Sequence, residues 1–523
     1  MTTEEPEPSP TKPKRSPPLV RGLGSLDATM LVMGAMIGSG IFITSAESAR
    51  IVGSPGWLML AWLLAGLMTV AGAVSSAELA AMMPRAGGQY VFLRTAYGPM
   101  IGFLFGWSLF LVVQTGTIAA VAVAFAKFLG VFIPSISADV ALPALEFGGY
   151  AIRVSTQQAV AVGLIVLLTV ANTRGLKLGA LIQNTFTITK TAALLGLILI
   201  GLFLGANTGA AAWTASWWDP AANGWTPATG YKEPLPVEGL AAIPLLLGLA
   251  MIGPLFSSTA WNNVTFTGGE TRDPGKTLPR ALLLGTSSVV ALYLLANLAY
   301  LTSLPFEVIQ HAPDDRVGTA AMEAAMGPVG RLLMAGAIVI STFGCVNGLV
   351  LAGARVFYAM ARDRLFFQGA GKTNAHGVPA VALYAQGAWA SLLTLPATVT
   401  VDAETGAVAY GNLYSELLEY IIPVDLIFYM VMVGAVIALR RKAPFLKRPY
   451  KTIAYPIPPL IYIGLAFVLV LDFIYLKPKT SGIGFLIVLA GLPAYWLWGR
   501  LESSPMKIRK PQPEPTSGKP DDR

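Results

Sequence analysis

The sequence predicts an all-α membrane protein of about twelve transmembrane helices, and three observations carry that prediction. The 523 residues are 54% hydrophobic and only 12% charged, with a mean hydropathy of +0.62. Soluble domains carry about 25% charged residues, so a water-soluble fold of this composition would lack the polar groups to cover its surface. The apolar residues fall into runs of about 20, the length that crosses a bilayer core. Between the runs, Lys and Arg concentrate on alternate segments.

The runs lie near 27–51, 57–82, 99–133, 155–172, 185–205, 240–266, 280–303, 331–360, 379–398, 412–438, 454–474 and 481–499. They are numbered here as spans 1 to 12. The third and eighth exceed the bilayer thickness, which predicts tilted helices. Twelve spans put both termini on one side. Segments on that side hold 27 of the 36 Lys and Arg residues and the opposite segments seven. The positive-inside rule then predicts cytoplasmic termini and a multi-pass protein of a bacterial-type cell (inner) membrane. The net charge of +8 thus reports topology, not a nucleic-acid surface.

Residues 1–25 are polar, rich in Pro, Lys and Glu, and lack the apolar core of a signal peptide. They predict a disordered cytoplasmic tail, as do residues 501–523. Between the tails the chain divides into a five-span block at 26–205, an outward loop at 206–239, a second five-span block at 240–438, and spans 11 and 12 within 439–500. The outward loop carries Trp213, Trp217, Trp218 and Trp225, a residue type that favours the membrane interface.

Span 1 contains Met33-Gly34-Ala35-Met36-Ile37-Gly38-Ser39-Gly40-Ile41-Phe42. Each mid-span glycine costs a helix about 1 kcal/mol relative to alanine. The spacing of Gly34 and Gly38 would serve close helix packing, but Gly40 lies off that face. Gly38-Ser39-Gly40 therefore predicts a local unwinding, which a bilayer tolerates only where the freed groups are paired or line a cavity. Amides of Ser39, Gly40 and Ile41 would open a second half-helix and form an anion site. Carbonyls of Met36 and Ile37 would close the first half and attract a cation. One break thus offers a carboxylate site beside an ammonium site, the two ends of an α-amino acid.

Span 6 contains Gly253-Pro254-Leu255-Phe256-Ser257-Ser258-Thr259-Ala260-Trp261-Asn262-Asn263. Pro254 removes a backbone donor, and a polar cluster follows inside an apolar run. An ordinary kinked helix, with hydroxyls bonded back to its own carbonyls, would also fit. Interruptions at corresponding positions of two halves point to a site near the bilayer midplane. No acidic residue lies in either break, which weighs against a polycationic ligand.

Other chemistry finds little support. Cys345, the one cysteine, lies in an apolar segment and allows neither an intramolecular disulfide nor a cysteine metal cluster. His311 and His376 lie in polar loops without partner patterns. No metal, cofactor or catalytic constellation is predicted.

At these residues the sequence resembles the amino acid–polyamine–organocation superfamily over nearly its whole length. Gly38-Ser39-Gly40-Ile41-Phe42 resembles the first-helix signature. Pro84-Arg85-Ala86-Gly87-Gly88-Gln89-Tyr90 resembles the loop after helix 2. Trp261-Asn262, Gly269-Glu270-Thr271-Arg272-Asp273-Pro274 and Leu278-Pro279-Arg280 resemble helix 6 and its following loop. Arg355 to Asp363 resembles the end of helix 8, and Leu439 to Lys451 the loop between helices 10 and 11.

The resemblance implies an inverted repeat of helices 1–5 and 6–10, two additional helices, and alternating access to a midplane site. It implies that the amides of Ser39 and Gly40 hold the substrate carboxylate, with Gly38 and Ile41 beside them in the site. It assigns the ammonium to carbonyls near Met36, Phe256, Ser257 and Thr259, and makes Trp261 an aromatic gate. Where the family often has an aromatic residue and a glycine in the helix 6 break, Ser258 and Ala260 stand here, which leaves side-chain selectivity open.

Lys190 follows Asn184-Thr185-Phe186-Thr187-Ile188-Thr189 inside span 5. A charge within a membrane marks function unless it snorkels to the surface. The resemblance places its ammonium where relatives hold sodium, reaching the carbonyl near Gly38 and Ser341. That implies sodium-independent transport of small neutral L-amino acids, by proton symport or exchange, with amino acid, protons and the lipid bilayer as partners. A cationic amino acid or polyamine carrier of the same fold is the alternative, and a non-transporting amino acid sensor ranks below both. Relatives that pair with a heavy subunit need a cysteine in the outward loop near 134–153. None is present, so no disulfide-linked heavy subunit is expected.

Overall fold

The computed structural model describes residues 23–501 apart from 86, 139–144, 148–149, 153, 175, 205–215, 232–234, 236–238, 402–407 and 411–412. The predicted tails and Trp213 thus fall largely outside the described residues. Eight helices are long and apolar enough to cross a membrane: Pro55–Met82, Pro99–Leu129, Thr185–Leu204, Pro274–Ser303, Val317–Arg362, Tyr414–Lys442, Ile457–Leu476 and Pro478–Gly499. Ser25–Met36 and Gly40–Val52 meet at a 41° bend and together supply a further span. Shorter apolar helices at Thr156–Asn172, Ile243–Ser257 and Ala380–Leu393 occupy the fourth, sixth and ninth runs.

A separate helix over 317–326 precedes span 8; Gly327, at φ 67 and ψ −158, is non-helical and ends it, and span 8 starts at Pro328, near the expected 331. One boundary departs from the hydropathy reading. Span 9 stops at Leu393, and the end of its apolar run becomes a strand. That strand belongs to a small antiparallel sheet of β1 (Leu145–Phe147), β2 (Tyr150–Ile152), β3 (Pro396–Val401) and β4 (Val408–Tyr410), in that order. It joins the loop after span 3 to the loop after span 9. The β-branched alternation of Thr398-Val399-Thr400-Val401 favours a strand, while hydropathy alone reads it as more helix.

Span 7 packs on spans 1, 2 and 5, and span 8 on spans 3 and 5, which gathers the polar interior around span 1. Spans 11 and 12 flank this body and turn Leu460, Phe467, Val468, Leu486 and Leu489 outward. Such a surface is stable against lipid, not water. Leu23 bridges Thr271, Arg94 pairs with Asp363, and the Trp498 indole donates to the Arg364 carbonyl at 3.2 Å. The first and last described residues therefore lie at one end of the molecule, with the loops after spans 2, 6 and 8.

Candidate binding site at two broken helices

The first half of span 1 ends at Met36. Ile37 leaves the helix with ψ 94, and helix resumes at Gly40. The last hydrogen bond of the first half runs from Ile37 N–H to Met33 O at 2.9 Å. The first of the second half runs from Phe42 N–H to Ser39 O at 3.1 Å. Leading amides of a helix have no acceptor within it, so Ser39, Gly40 and Ile41 present N–H groups at the positive end of a helix dipole. Ser39 is fully buried.

Side chains from other spans cap the carbonyls freed at the end of the first half. Lys190 of span 5, itself buried, donates to Gly34 O. Cys345 Sγ lies 3.7 Å from Ala35 O, the Tyr293 hydroxyl donates to Met36 O at 2.9 Å, and Ser341 Oγ donates to Ile37 O at 3.5 Å. Two expectations shift here. Lys190 reaches the carbonyl of Gly34, one turn before Gly38, because a lysine stem from span 5 meets span 1 at that height; Ser341 serves Ile37 instead. The Met36 carbonyl, expected to face an ammonium, already accepts Tyr293. Snorkelling does not describe Lys190, whose ammonium ends inside the protein.

Span 6 breaks between helix Ile252–Ser257 and the short helix Asn263–Phe266. Pro254 lies in the first turn of its helix, where the missing donor costs nothing, so the interruption falls after Ser257 and not at the proline. Ala260 turns the chain with φ 66, a left-handed conformation uncommon for a residue with a side chain. Phe256 O accepts both the Thr259 hydroxyl at 2.7 Å and the Thr259 N–H at 3.1 Å.

The two breaks touch at Gly40. A Cβ there would lie 2.1 Å from Ser257 Oγ and 2.9 Å from Ser257 Cα, so only glycine admits the contact. Gly40 is off the GxxxG face because it faces span 6. Tyr293 of span 7 spans both breaks, since its hydroxyl also lies 3.0 Å from Ser257 O. A phenol has one proton and donates to one carbonyl at a time. Tyr414 of span 10 covers the other side, with its hydroxyl 3.1 Å from Ser39 Oγ and its ring edge-on to Phe256. Trp261 is buried and stacks on Tyr429 at 5.2 Å, and the Tyr429 hydroxyl donates to Asn262 Oδ1 at 3.0 Å.

What space remains is small. Two cavities of about 20 Å³ flank Thr259, each room for about one water. Trp261 and Ser258 line one, Ala260 and Asn262 the other, and Asp425 and Tyr429 of span 10 line both. No acidic residue lies in either break, but Asp425 of span 10 borders both cavities. It lies far from either break in sequence and reaches the site only through the packing of span 10 on span 6.

The ends of the molecule are closed by polar contacts. At the end away from the termini, Arg50 donates to Asp315 at 2.7 Å and to Gln310 O at 2.6 Å, and Ser415 donates to Glu47 at 2.8 Å. At the other end, Arg94 and Tyr90 both donate to Asp363, at 2.6 and 2.9 Å. Burial, with Asp363 alongside, holds the Tyr90 hydroxyl protonated well above the usual phenol range. Glu78 is buried, takes a two-point contact from Arg440 at 2.9 and 2.6 Å, and accepts Thr452 N–H at 2.8 Å. No local sequence signal marks this contact, because the partners of Glu78 are more than 300 positions away. Among the described residues no group of three His, Cys, Asp or Glu is arranged to hold a metal.

The family profile described as "Amino acid permease" matches residues 23–496. The chain is similar to the serine/threonine exchanger SteT of Bacillus subtilis, 29% identical over 91% of this chain and 97% of that protein. It is 28% identical to the human large neutral amino acids transporter small subunit 2, over 92% of this chain and 80% of the relative. It is also 26% identical to the human Asc-type amino acid transporter 1, over 94% and 85% of the two chains.

Proposed function

We propose a mechanism from the premise that this chain belongs to the amino acid permease family and transports amino acids. It is a sodium-independent secondary carrier of small neutral L-amino acids, moving them by proton symport or by exchange. It lies in the cell membrane with both termini cytoplasmic, and spans 1–5 and 6–10 are inverted repeats that rock about the midplane. The observation that carries the reading is the contact of two broken helices at Gly40 and Ser257, with the open amides of Ser39, Gly40 and Ile41 beside it.

Those amides hold the substrate carboxylate. Carbonyls of Ser257 and Thr259 hold the ammonium, since each has a lone pair to spare; Phe256 O, which accepts both the hydroxyl and the N–H of Thr259, joins them when the Thr259 hydroxyl turns away. Tyr293 follows the load by donating to Met36 O when Ser257 O takes the ammonium. Trp261 and Tyr429, which wall the cavities, leave little room for a large side chain, which supports serine, threonine and alanine as substrates. The serine/threonine exchange stated for the Bacillus relative agrees with this choice. Lys190 supplies the charge that makes sodium unnecessary. Cys345 is buried beside Gly38 and offers no thiol to a heavy subunit.

Flux into proteoliposomes tests the reading. Labelled serine, threonine and alanine enter vesicles preloaded with unlabelled serine, at the same rate with potassium or sodium outside. Uptake that rises steeply with sodium, or binding without flux, overturns it.

A further inference from the structure

We propose that Asp425 is the proton-binding group of this carrier, so that transport is coupled to protons through span 10. The inference rests on the carrier reading above and goes beyond it in naming the coupling ligand and its residue. Asp425 is 5% exposed, at mid-span in Tyr414–Lys442. Its carboxyl lines both water-sized cavities, one on each side of Thr259 in the unwound stretch of span 6. Among the described residues it takes no hydrogen bond and no ion pair. The titratable groups that face it are Tyr429 on its own span and Tyr462 on span 11; spans 2, 3, 6 and 8 contribute only neutral residues to the two cavities.

A carboxylate without a cation at this depth is costly. The group that removes its charge must fit beside it, and about 20 Å³ admits a water or a hydronium but not an organic ammonium. Lys190 does not serve, because its ammonium is committed to Gly34 O. The position also supplies the coupling. Tyr429, one turn along span 10, stacks on Trp261 and donates to Asn262, so movement of span 6 changes the walls around Asp425. On the face open to acid, a hydronium gives one proton to a carboxylate oxygen and leaves a water; the neutral carboxyl crosses with the amino acid, then returns the proton to water on the other face, reforming hydronium. One proton moves per substrate and no other bond changes.

Asp472 is the internal control. Both its carboxyl oxygens are buried without a partner among the described residues, but it lies on span 11 against Gly248 and lines neither cavity.

The test uses the full chain in proteoliposomes with internal pyranine, reading serine exchange and serine accumulation under an inward acid gradient of one pH unit. Such a gradient sustains at most about tenfold accumulation per proton. Wild type accumulates serine severalfold and acidifies the lumen as serine enters. Asp425→Asn, locked in the shape of the protonated form, accumulates no serine above equilibrium, and whatever exchange it retains is independent of the pH gradient. Asp425→Glu and Asp472→Asn both retain accumulation. Accumulation retained by Asp425→Asn overturns the proposal. So does wild-type serine entry without proton entry, which is readable even if Asp425→Asn fails to fold and which leaves the carrier reading standing when exchange is intact. Absence of exchange in wild type removes the carrier reading and the proposal together.

Discussion

At the scale of single residues, the site depends on atoms that are missing. Gly40 admits Ser257 because it has no Cβ. In Gly40→Ala the new carbon must push two backbones apart, and overpacking of this kind costs about 1–3 kcal/mol. Serine uptake falls at least about tenfold at unchanged protein abundance. A second change, Ser257→Gly, restores only part of it, because Ser257 Cα remains 2.9 Å from the added carbon. Ala260 is the converse case, a side chain where the backbone favours none. Its left-handed φ costs roughly 1 kcal/mol relative to glycine. Ala260→Gly therefore raises the thermal midpoint or leaves it unchanged, whereas the β-branched Ala260→Val lowers stability by about 2 kcal/mol. Equal midpoints for glycine and valine would show that the turn is not strained.

At the scale of elements, the broken end of span 1 is a helix C-terminus inside a membrane, and its carbonyls need donors. Spans 5, 7 and 8 each supply at least one: Lys190, Tyr293, and Ser341 with Cys345. Lys190→Ala leaves Gly34 O bare at a cost of about 1–3 kcal/mol; uptake is abolished, while the protein still elutes as a folded monodisperse species. Unaltered uptake in that variant would make Lys190 a packing residue only. The sequence disclosed the breaks because Gly-Ser-Gly and a polar cluster interrupt apolar runs, and it disclosed Lys190 because a charge in such a run is conspicuous. It did not disclose Tyr293 or Asp425. A tyrosine in an apolar span carries no periodic signal, and Asp425 becomes part of the site only when span 10 folds against span 6.

At the scale of the whole molecule, hydropathy located a helix for each apolar run because the bilayer fixes both the length and the polarity of a span. It missed what the bilayer does not govern: the separate helix over 317–326 that turns into span 8 at Gly327, and the strand at Pro396–Val401 that ends span 9 early. It was also blind to pairings between distant loops, of which Glu78 is the clearest. This carboxylate at the end of span 2 is buried, takes two contacts from Arg440, and lies 3.2 Å from Arg448 Nε. Arg440 in turn sits over the Tyr455 ring at 3.7 Å. One buried anion thus joins span 2 to the end of span 10 and the loop that follows. Removing one partner of a buried pair is far more damaging than an exposed pair would suggest, about 3–5 kcal/mol, because the other charge is left uncompensated. Glu78→Ala therefore lowers the thermal midpoint in detergent sharply. Arg440→Met alone does so less, because Arg448 and the Thr452 amide still serve the carboxylate. The double variant is less destabilised than the sum of the two by at least about 1 kcal/mol, the sign of a direct coupling. Additive losses would mean that the contact does not hold the two elements together, and that the end of the molecule bearing the termini is closed by the Arg94, Tyr90 and Asp363 cluster alone.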